Sequence, residues 1–161
     1  MKRSHTDEKL AKSAFEVLND LMGEVHAGRI VGYLAVKNPD IFQTKHPQYL
    51  VRLGIGAIMI ALYKFEDLWN HQLLHLLKDR VPPRGTQLIA DLHDKKVREF
   101  RSLFVAHYSD RREFPKPSLG KLQSLLEAQG FHTDEELFLW TQDVVKVLGE
   151  VRDTLHVKFN L

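Results

Sequence analysis

Apolar residues recur every three or four positions through most of this 161-residue chain. No segment sustains the alternation of apolar and polar residues that a half-buried strand requires. A spacing of three and four is typical of amphipathic helices that each bury one face. The length is that of one ordinary domain. We therefore predict an all-α bundle of about four or five helices with short connections, folded as a single domain over residues 1–161.

Proline and glycine residues suggest where the first two helices end. An apolar stripe begins near Leu10 and stops at Asn38-Pro39, and its three glycines leave open whether it forms one bent helix or two. Pro47 suits the first turn of a second, long helix, which the segment 80–85 ends. The predicted buried face of that second helix consists of Ile58, Leu62, Phe65, Trp69, Leu73 and Leu76.

Capping residues suggest where the later helices begin. Thr86 is expected to cap a third helix, and Thr133 with Glu136 forms a capping box at the start of the last one. The predicted buried face of the third helix consists of Ile89, His93, Val97, Phe100, Phe104 and His107. That of the last helix consists of Leu137, Trp140, Val144, Leu148, Val151 and Leu155.

Composition excludes several kinds of site. The chain has no cysteine, so disulfides, thiolate metal sites and thiol nucleophiles are ruled out. The net charge of +2 is far from that of a dedicated nucleic-acid coat protein. The most apolar segment, 53–63, is much shorter than the roughly 20 residues of a membrane-spanning helix, and the first residues lack the apolar run of a signal peptide. We expect a cytoplasmic protein that does not associate with membranes.

Residues 95–110 are the one stretch that combines an apolar helical pattern, a cluster of cations and a histidine. Cations outnumber acidic residues from 95 to 116, which suits a phosphate-bearing partner, although a solvated face of mixed charge has the same composition. The cations are Lys95, Lys96, Arg98, Arg101, Arg111, Arg112 and Lys116.

Arg101 and His107 are the candidate catalytic residues of this stretch. The guanidinium group matches phosphate oxygens and keeps its charge when partly desolvated, and an imidazole exchanges a proton near neutral pH. Together they could cleave a ribose phosphodiester. Six helical steps leave the two side chains about 120° apart, so a joint site needs the helix to end near His107 or a second surface to close over both. The alternative is that His107 is a core histidine and Arg101 a surface cation.

A second candidate site is the series Asp67, His71 and His75, spaced by four residues along the second helix. Such spacing places the three side chains on one stripe, and two imidazoles one turn apart could begin a zinc or nickel site. A further ligand would have to come from another helix. A polar stripe that is solvated or faces the partner in a dimer explains the same spacing, and it is the interpretation we favour.

The segment from Arg101 to His107 resembles the signature of the HEPN superfamily, which is an arginine, four to six residues and then a histidine, late in a helix of an all-α bundle. The Ala106-His107 pair and the following Ser109-Asp110 are similar to the abortive-infection U-type branch, in which Arg-Asn-Lys-x-x-Ala-His-x-Asp is usual. Ser102 stands where that branch commonly has asparagine. A hydroxyl can still form hydrogen bonds, but it cannot replace both functions of a carboxamide.

The resemblance implies a homodimer whose two motifs face each other across a cleft, with endoribonuclease activity that needs no metal or other cofactor. It gives Arg101 the phosphate-binding role and His107 the proton-transfer role. Other expected contacts to RNA come from Ser102, Arg98, Tyr108 and Arg111. A toxin or phage-defence setting, with a cognate antitoxin as a further partner, is also implied. Because of Ser102, a member without catalysis that binds RNA or protein fits as well.

Overall fold

The computed structural model describes residues 5–38, 40, 48–101, 124 and 126–161. These residues form helices and turns without any strand, so the prediction of an all-α fold is confirmed for the part of the chain described. None of the helices described is long and apolar enough to cross a membrane.

The first apolar stripe forms one continuous helix, α1, over His5–Lys37. Its three glycines do not interrupt it, which answers the question of one helix or two. Asp7 and Glu8 in its first turn and Lys37 in its last complement the helix dipole. Its buried face consists of Ala11, Ala14, Leu18, Leu21, Val25, Gly28, Gly32 and Ala35.

Helix α2 spans Gln48–Leu68 and crosses α1 where the two backbones touch. A Cβ atom added at Gly28 would lie 2.7 Å from the carbonyl oxygen of Gly54, and one added at Gly54 would lie 2.5 Å from that of Gly28. Only glycine leaves room for such an approach. These two residues therefore set the distance between the helices on which the core is built.

The second helix continues beyond α2 through a π-helical turn, Trp69–Leu73, into a last turn, α3, over Leu74–Leu77. It ends where Lys78 adopts a positive φ of 47°, and a 3₁₀ turn, Lys78–Arg80, follows. The ammonium group of Lys158 donates a hydrogen bond to the carbonyl of Leu77 at 2.7 Å, which satisfies one orphan group of this terminus. All six residues predicted for the buried face of this helix are buried.

The third helix differs from the prediction in its start, its length and part of its buried face. Helix α4 spans Pro83–Asp94, so its N-cap is Pro82, and the prediction that Thr86 caps it was wrong. Lys96 has a positive φ of 50°, which breaks the helix before helical structure resumes at residues 97–101. The buried face of α4 consists of Gly85, Leu88, Ile89 and Leu92, and His93 lies about 90° away from the centre of this face. The prediction that His93 is buried was wrong, since its side chain is 62% exposed.

The other residues of that stripe lie as predicted where the structure describes them. Ile89, Val97 and Phe100 are buried, together with Leu88 and Leu92. Phe104 and His107 lie outside the described residues. The prediction of burial is therefore confirmed for Ile89 in α4 and for Val97 and Phe100 beyond the break.

Helix α5 spans Asp134–Phe159, and its predicted capping box is confirmed. The hydroxyl of Thr133 accepts a hydrogen bond from the amide of Glu136 at 3.1 Å, and the Glu136 carboxylate accepts one from the amide of His132 at 2.7 Å. The predicted face of α5 is buried except for Trp140, which is only partly buried and packs on the Phe131 ring. Helix α1 packs against both α2 and α5, with the core between these three long helices.

Candidate functional site

Two arginine side chains lie over the ring of Tyr63, which α2 places at the edge of the core. The guanidinium carbon of Arg101 is 4.7 Å from the ring centroid, and that of Arg98 is 5.6 Å away. Arg98 and Arg101 are three residues apart, so they share one face of the helical segment 97–101. We call Tyr63, Arg98 and Arg101 the tyrosine–arginine cluster.

Helix α2 also places a buried carboxylate next to this cluster. The side chain of Glu66 is 4% exposed, and its Oε1 atom lies 3.5 Å from Nε2 of His93 on α4. Glu66 follows Tyr63 by three residues, so the two Cβ atoms are about 5–6 Å apart on the same face. The Glu66–His93 pair is therefore the immediate neighbour of the tyrosine–arginine cluster.

The cluster has the chemistry of a phosphate-binding surface. A guanidinium group presents a planar fork of donors that matches two phosphate oxygens, and an aromatic face beneath it restricts its orientation. Arg98 is exposed and Arg101 is half-buried. Both guanidinium groups could therefore contact a single anionic group. Arg101 already has less contact with water than an exposed arginine.

The structure describes two of the six residues that the sequence analysis assigned to the RNA site. Arg98 and Arg101 come together on Tyr63. The four other predicted residues lie outside the described residues, and they are Ser102, His107, Tyr108 and Arg111. Their roles stay predictions.

Another cation of the basic stretch, Lys95, is held by contacts within the protein. Its ammonium group lies 4.3 Å from the centroid of Phe131 and 5.8 Å from that of Trp140. It also donates a hydrogen bond to the carbonyl of Gln129 at 3.0 Å. Lys95 thus fastens the turn before α5 to the end of α4, a structural role that the sequence analysis did not assign to it.

The histidine series on the second helix is divided between two carboxylate partners. His71 lies 3.4 Å from Asp67 on its own helix, whereas His75 lies 3.4 Å from Asp7 on α1. Both imidazoles are largely exposed. Across the residues described, no three histidine or acidic side chains form a group that could hold a metal ion.

Sequence reasoning missed Tyr63 and Glu66, although the sequence carries a signal for Glu66. This glutamate lies four residues after Leu62 and three before Trp69, within the apolar stripe of the second helix. A carboxylate in an apolar stripe needs a compensating partner. The partner is His93, which lies on another helix. The periodicity of one helix does not reveal a contact with another.

Comparison with known proteins adds no relative: no family model, curated protein or solved structure matches the chain. Among the described residues, the structure brings Tyr63, Arg98 and Arg101 together, and it pairs Glu66 with His93.

Proposed function

We propose that this protein is a metal-independent endoribonuclease of the HEPN type, acting as a homodimer in a toxin–antitoxin or phage-defence system. The observation that carries the proposal is the position of Arg101. This residue begins the Arg-x₅-His motif, and its guanidinium group lies on the Tyr63 ring with Arg98 beside it. An arginine oriented in this way suits a phosphate that is about to be cleaved.

The proposed reaction uses the two motif residues in different roles. Arg101 binds the scissile phosphate and stabilises the charge that develops on it. His107 transfers a proton to or from the reacting ribose oxygens. Arg98 and Arg111 contact neighbouring phosphates, which positions the strand without reading its sequence. Ser102 and Tyr108 complete the proposed RNA contacts.

Cleavage of a mixed RNA pool in excess chelator tests the proposal. The proteins compared are the wild type, Arg101→Ala and His107→Ala, after circular dichroism has shown that the variants are folded. Arg80→Ala is the control, since Arg80 is an exposed arginine outside the tyrosine–arginine cluster. We expect the wild type and Arg80→Ala to cleave equally and each motif variant to lose about 100-fold or more. Equal cleavage by all four proteins would refute the assignment of the motif.

Dimerisation is a separate part of the proposal. The resemblance places two motifs across one cleft, so each active site needs both copies of the chain. Light scattering at micromolar concentration should give about twice the mass of 18.7 kDa. If the protein is a monomer and still cleaves RNA, the proposal that two motifs face each other in a dimer is refuted. The proposed roles of Arg101 and His107 within one motif would remain.

The second candidate function is an RNA- or protein-binding module with the same fold and no catalysis. Ser102 favours it, because the branch commonly has asparagine at that place. The tyrosine–arginine cluster can bind a phosphate backbone without cleaving it. RNA binding that weakens in Arg101→Ala and with added salt, together with no cleavage by the wild type, would support this function over the first.

A helical metal-binding protein using Asp67, His71 and His75 is the third candidate and the weakest. His71 and His75 contact different carboxylates, as described above. Elemental analysis of the purified protein tests it directly. About one zinc or nickel per chain, lost in His71→Ala, would favour this function.

A further inference from the structure

Glu66 and His93 form a polar pair that the proposed function does not use. The Glu66 side chain is 4% exposed, whereas the His93 side chain is 62% exposed. The imidazole therefore lies between a buried carboxylate and the solvent. Burial of a carboxylate is costly unless a partner compensates it, and His93 is the partner that α4 supplies.

The orientation of the ring decides which nitrogen is available to a ligand. The nitrogen that faces Glu66 is Nε2, at 3.5 Å from Oε1. A carboxylate in this position favours the tautomer with the proton on Nε2, and that tautomer leaves Nδ1 as a proton acceptor. In hydrolases with a catalytic triad a carboxylate also orients the imidazole base, although there the carboxylate faces Nδ1 and the base is Nε2.

The position of the pair connects it to Arg101. His93 lies over Glu66 and Arg101 lies over Tyr63, and these two positions of α2 are one helical turn apart. Three residues correspond to about 4.5 Å along the axis. A ribose and the phosphate attached to it span a similar distance. A nucleotide whose phosphate is bound by Arg101 can thus place its sugar beside His93.

We infer that His93, oriented by Glu66, is the general base of the ribonuclease reaction proposed above, on which this inference rests. Nδ1 takes the proton of the ribose 2′-hydroxyl while the 2′-oxygen attacks phosphorus. The bond from phosphorus to the 5′-oxygen breaks, and the leaving oxygen takes a proton from His107, to which the proposed function gives proton transfer. The products are a 2′,3′-cyclic phosphate and a 5′-hydroxyl, with no change of oxidation state. His93 is a catalytic residue in this reaction, and Glu66 is a positioning residue.

The chain offers a matched control for this role. His71 is also exposed and lies 3.4 Å from a carboxylate, that of Asp67, but this carboxylate is itself exposed and lies on the same helix. His71→Ala therefore removes a histidine–carboxylate pair of similar geometry outside the proposed site. A general effect of losing a surface imidazole would appear in both variants.

The test is steady-state cleavage of a short RNA with one scissile linkage, made with either an oxygen or a sulfur atom at the 5′ leaving position. Sulfur leaves without needing a proton, so it removes the requirement for an acid but not for a base. We expect His93→Ala to lose about 100-fold in rate on both substrates, with KM unchanged, and His71→Ala to lose nothing. Glu66→Gln should lower kcat by a smaller factor with KM unchanged, since the amide oxygen can still face Nε2.

Each other result overturns the inference in a different way. A His93→Ala rate equal to that of the wild type on both substrates would remove His93 from the reaction while leaving the proposed function intact. A loss on the oxygen substrate that disappears with sulfur would make His93 an acid. A wild type that cleaves neither substrate would refute the nuclease function and the inference with it. If His93→Ala does not fold, His93→Gln is measured in its place.

Discussion

Substitution of Gly54 by alanine should destabilise the fold, because the backbones of α1 and α2 are in contact at this residue. The added Cβ atom would lie 2.5 Å from the carbonyl oxygen of Gly28 and 3.0 Å from the Cα atom of Gly32. Both neighbours are backbone atoms of a helix, so neither can rotate away as a side chain can. Relief requires α1 to move away from α2.

The magnitude follows from two opposing effects. The contact with the Gly28 oxygen is about 0.9 Å shorter than an ordinary contact of 3.4 Å. Overpacking of this kind costs about 1–3 kcal/mol, and the cost here should reach the upper end because a whole helix has to shift. Alanine in a helix recovers about 1 kcal/mol relative to glycine. We expect a net loss of about 2 kcal/mol in the free energy of unfolding.

Gly23→Ala is the matched control. Gly23 lies in α1, and a Cβ atom added there would meet nothing within 4 Å. It should gain about 0.5–1 kcal/mol from helix propensity alone. Thermal unfolding should show Gly54→Ala melting about 4–8 °C below the wild type and Gly23→Ala slightly above it. Equal melting temperatures for the two variants would refute the argument that backbone contact at the crossing determines the packing.

Three further predictions concern single contacts. Thr133→Ala removes the side-chain cap of α5 and should cost about 1 kcal/mol in urea unfolding. Lys95→Met loses the contact with the Phe131 ring and a hydrogen bond to a backbone carbonyl, so it should cost about 1–2 kcal/mol, with no loss of RNA cleavage. The pKa of Asp79 is lowered from 3.8 by a hydrogen bond to its own backbone and by Lys158. Its stabilising contribution is therefore present above pH 3.8 and lost as pH falls through the lowered pKa, so Asp79→Asn should reduce the difference between urea midpoints at pH 7 and pH 3.

The helices of the core could be predicted from sequence because their signals are local. Apolar spacing identified the buried faces of the second and last helices, and the capping box at Thr133 identified where α5 begins. Each of these features depends on residues within one or two turns of each other. The continuity of α1 could not be predicted, since two of the glycines that weaken an isolated helix are close-packing positions here, Gly28 against Gly54 of α2 and Gly32 against the Phe138 ring.

The break in the third helix could not be predicted from periodicity. Lys96 adopts a positive φ, which is unfavourable for a residue with a Cβ atom, so composition gives no signal for it. The apolar spacing of three and four continues from Ile89 through Val97 to Phe100 as if the helix were uninterrupted. Contacts with other parts of the chain, such as that of Lys95 with Phe131 in the turn before α5, stabilise the turn instead.

The candidate site was only partly predictable for a related reason. A sequence motif drew attention to Arg101, and a charge pattern to Arg98. Tyr63, on which both arginines lie, carries no pattern of its own, because its role depends on a contact between helices. Glu66 did carry a signal, as a carboxylate in an apolar stripe, but the identity of its partner depends on the tertiary fold.

The break at Lys96 also explains how His93 and Arg101 come to lie over neighbouring positions of α2. In an uninterrupted helix these two residues would be separated by about 12 Å along the axis. The residues they contact, Glu66 and Tyr63, are only three positions apart, or about 4.5 Å. The change of direction at Lys96 and the length of the arginine side chain together close this difference. The positive φ of Lys96 therefore lies between two residues whose side chains contact positions of α2 that are three residues apart.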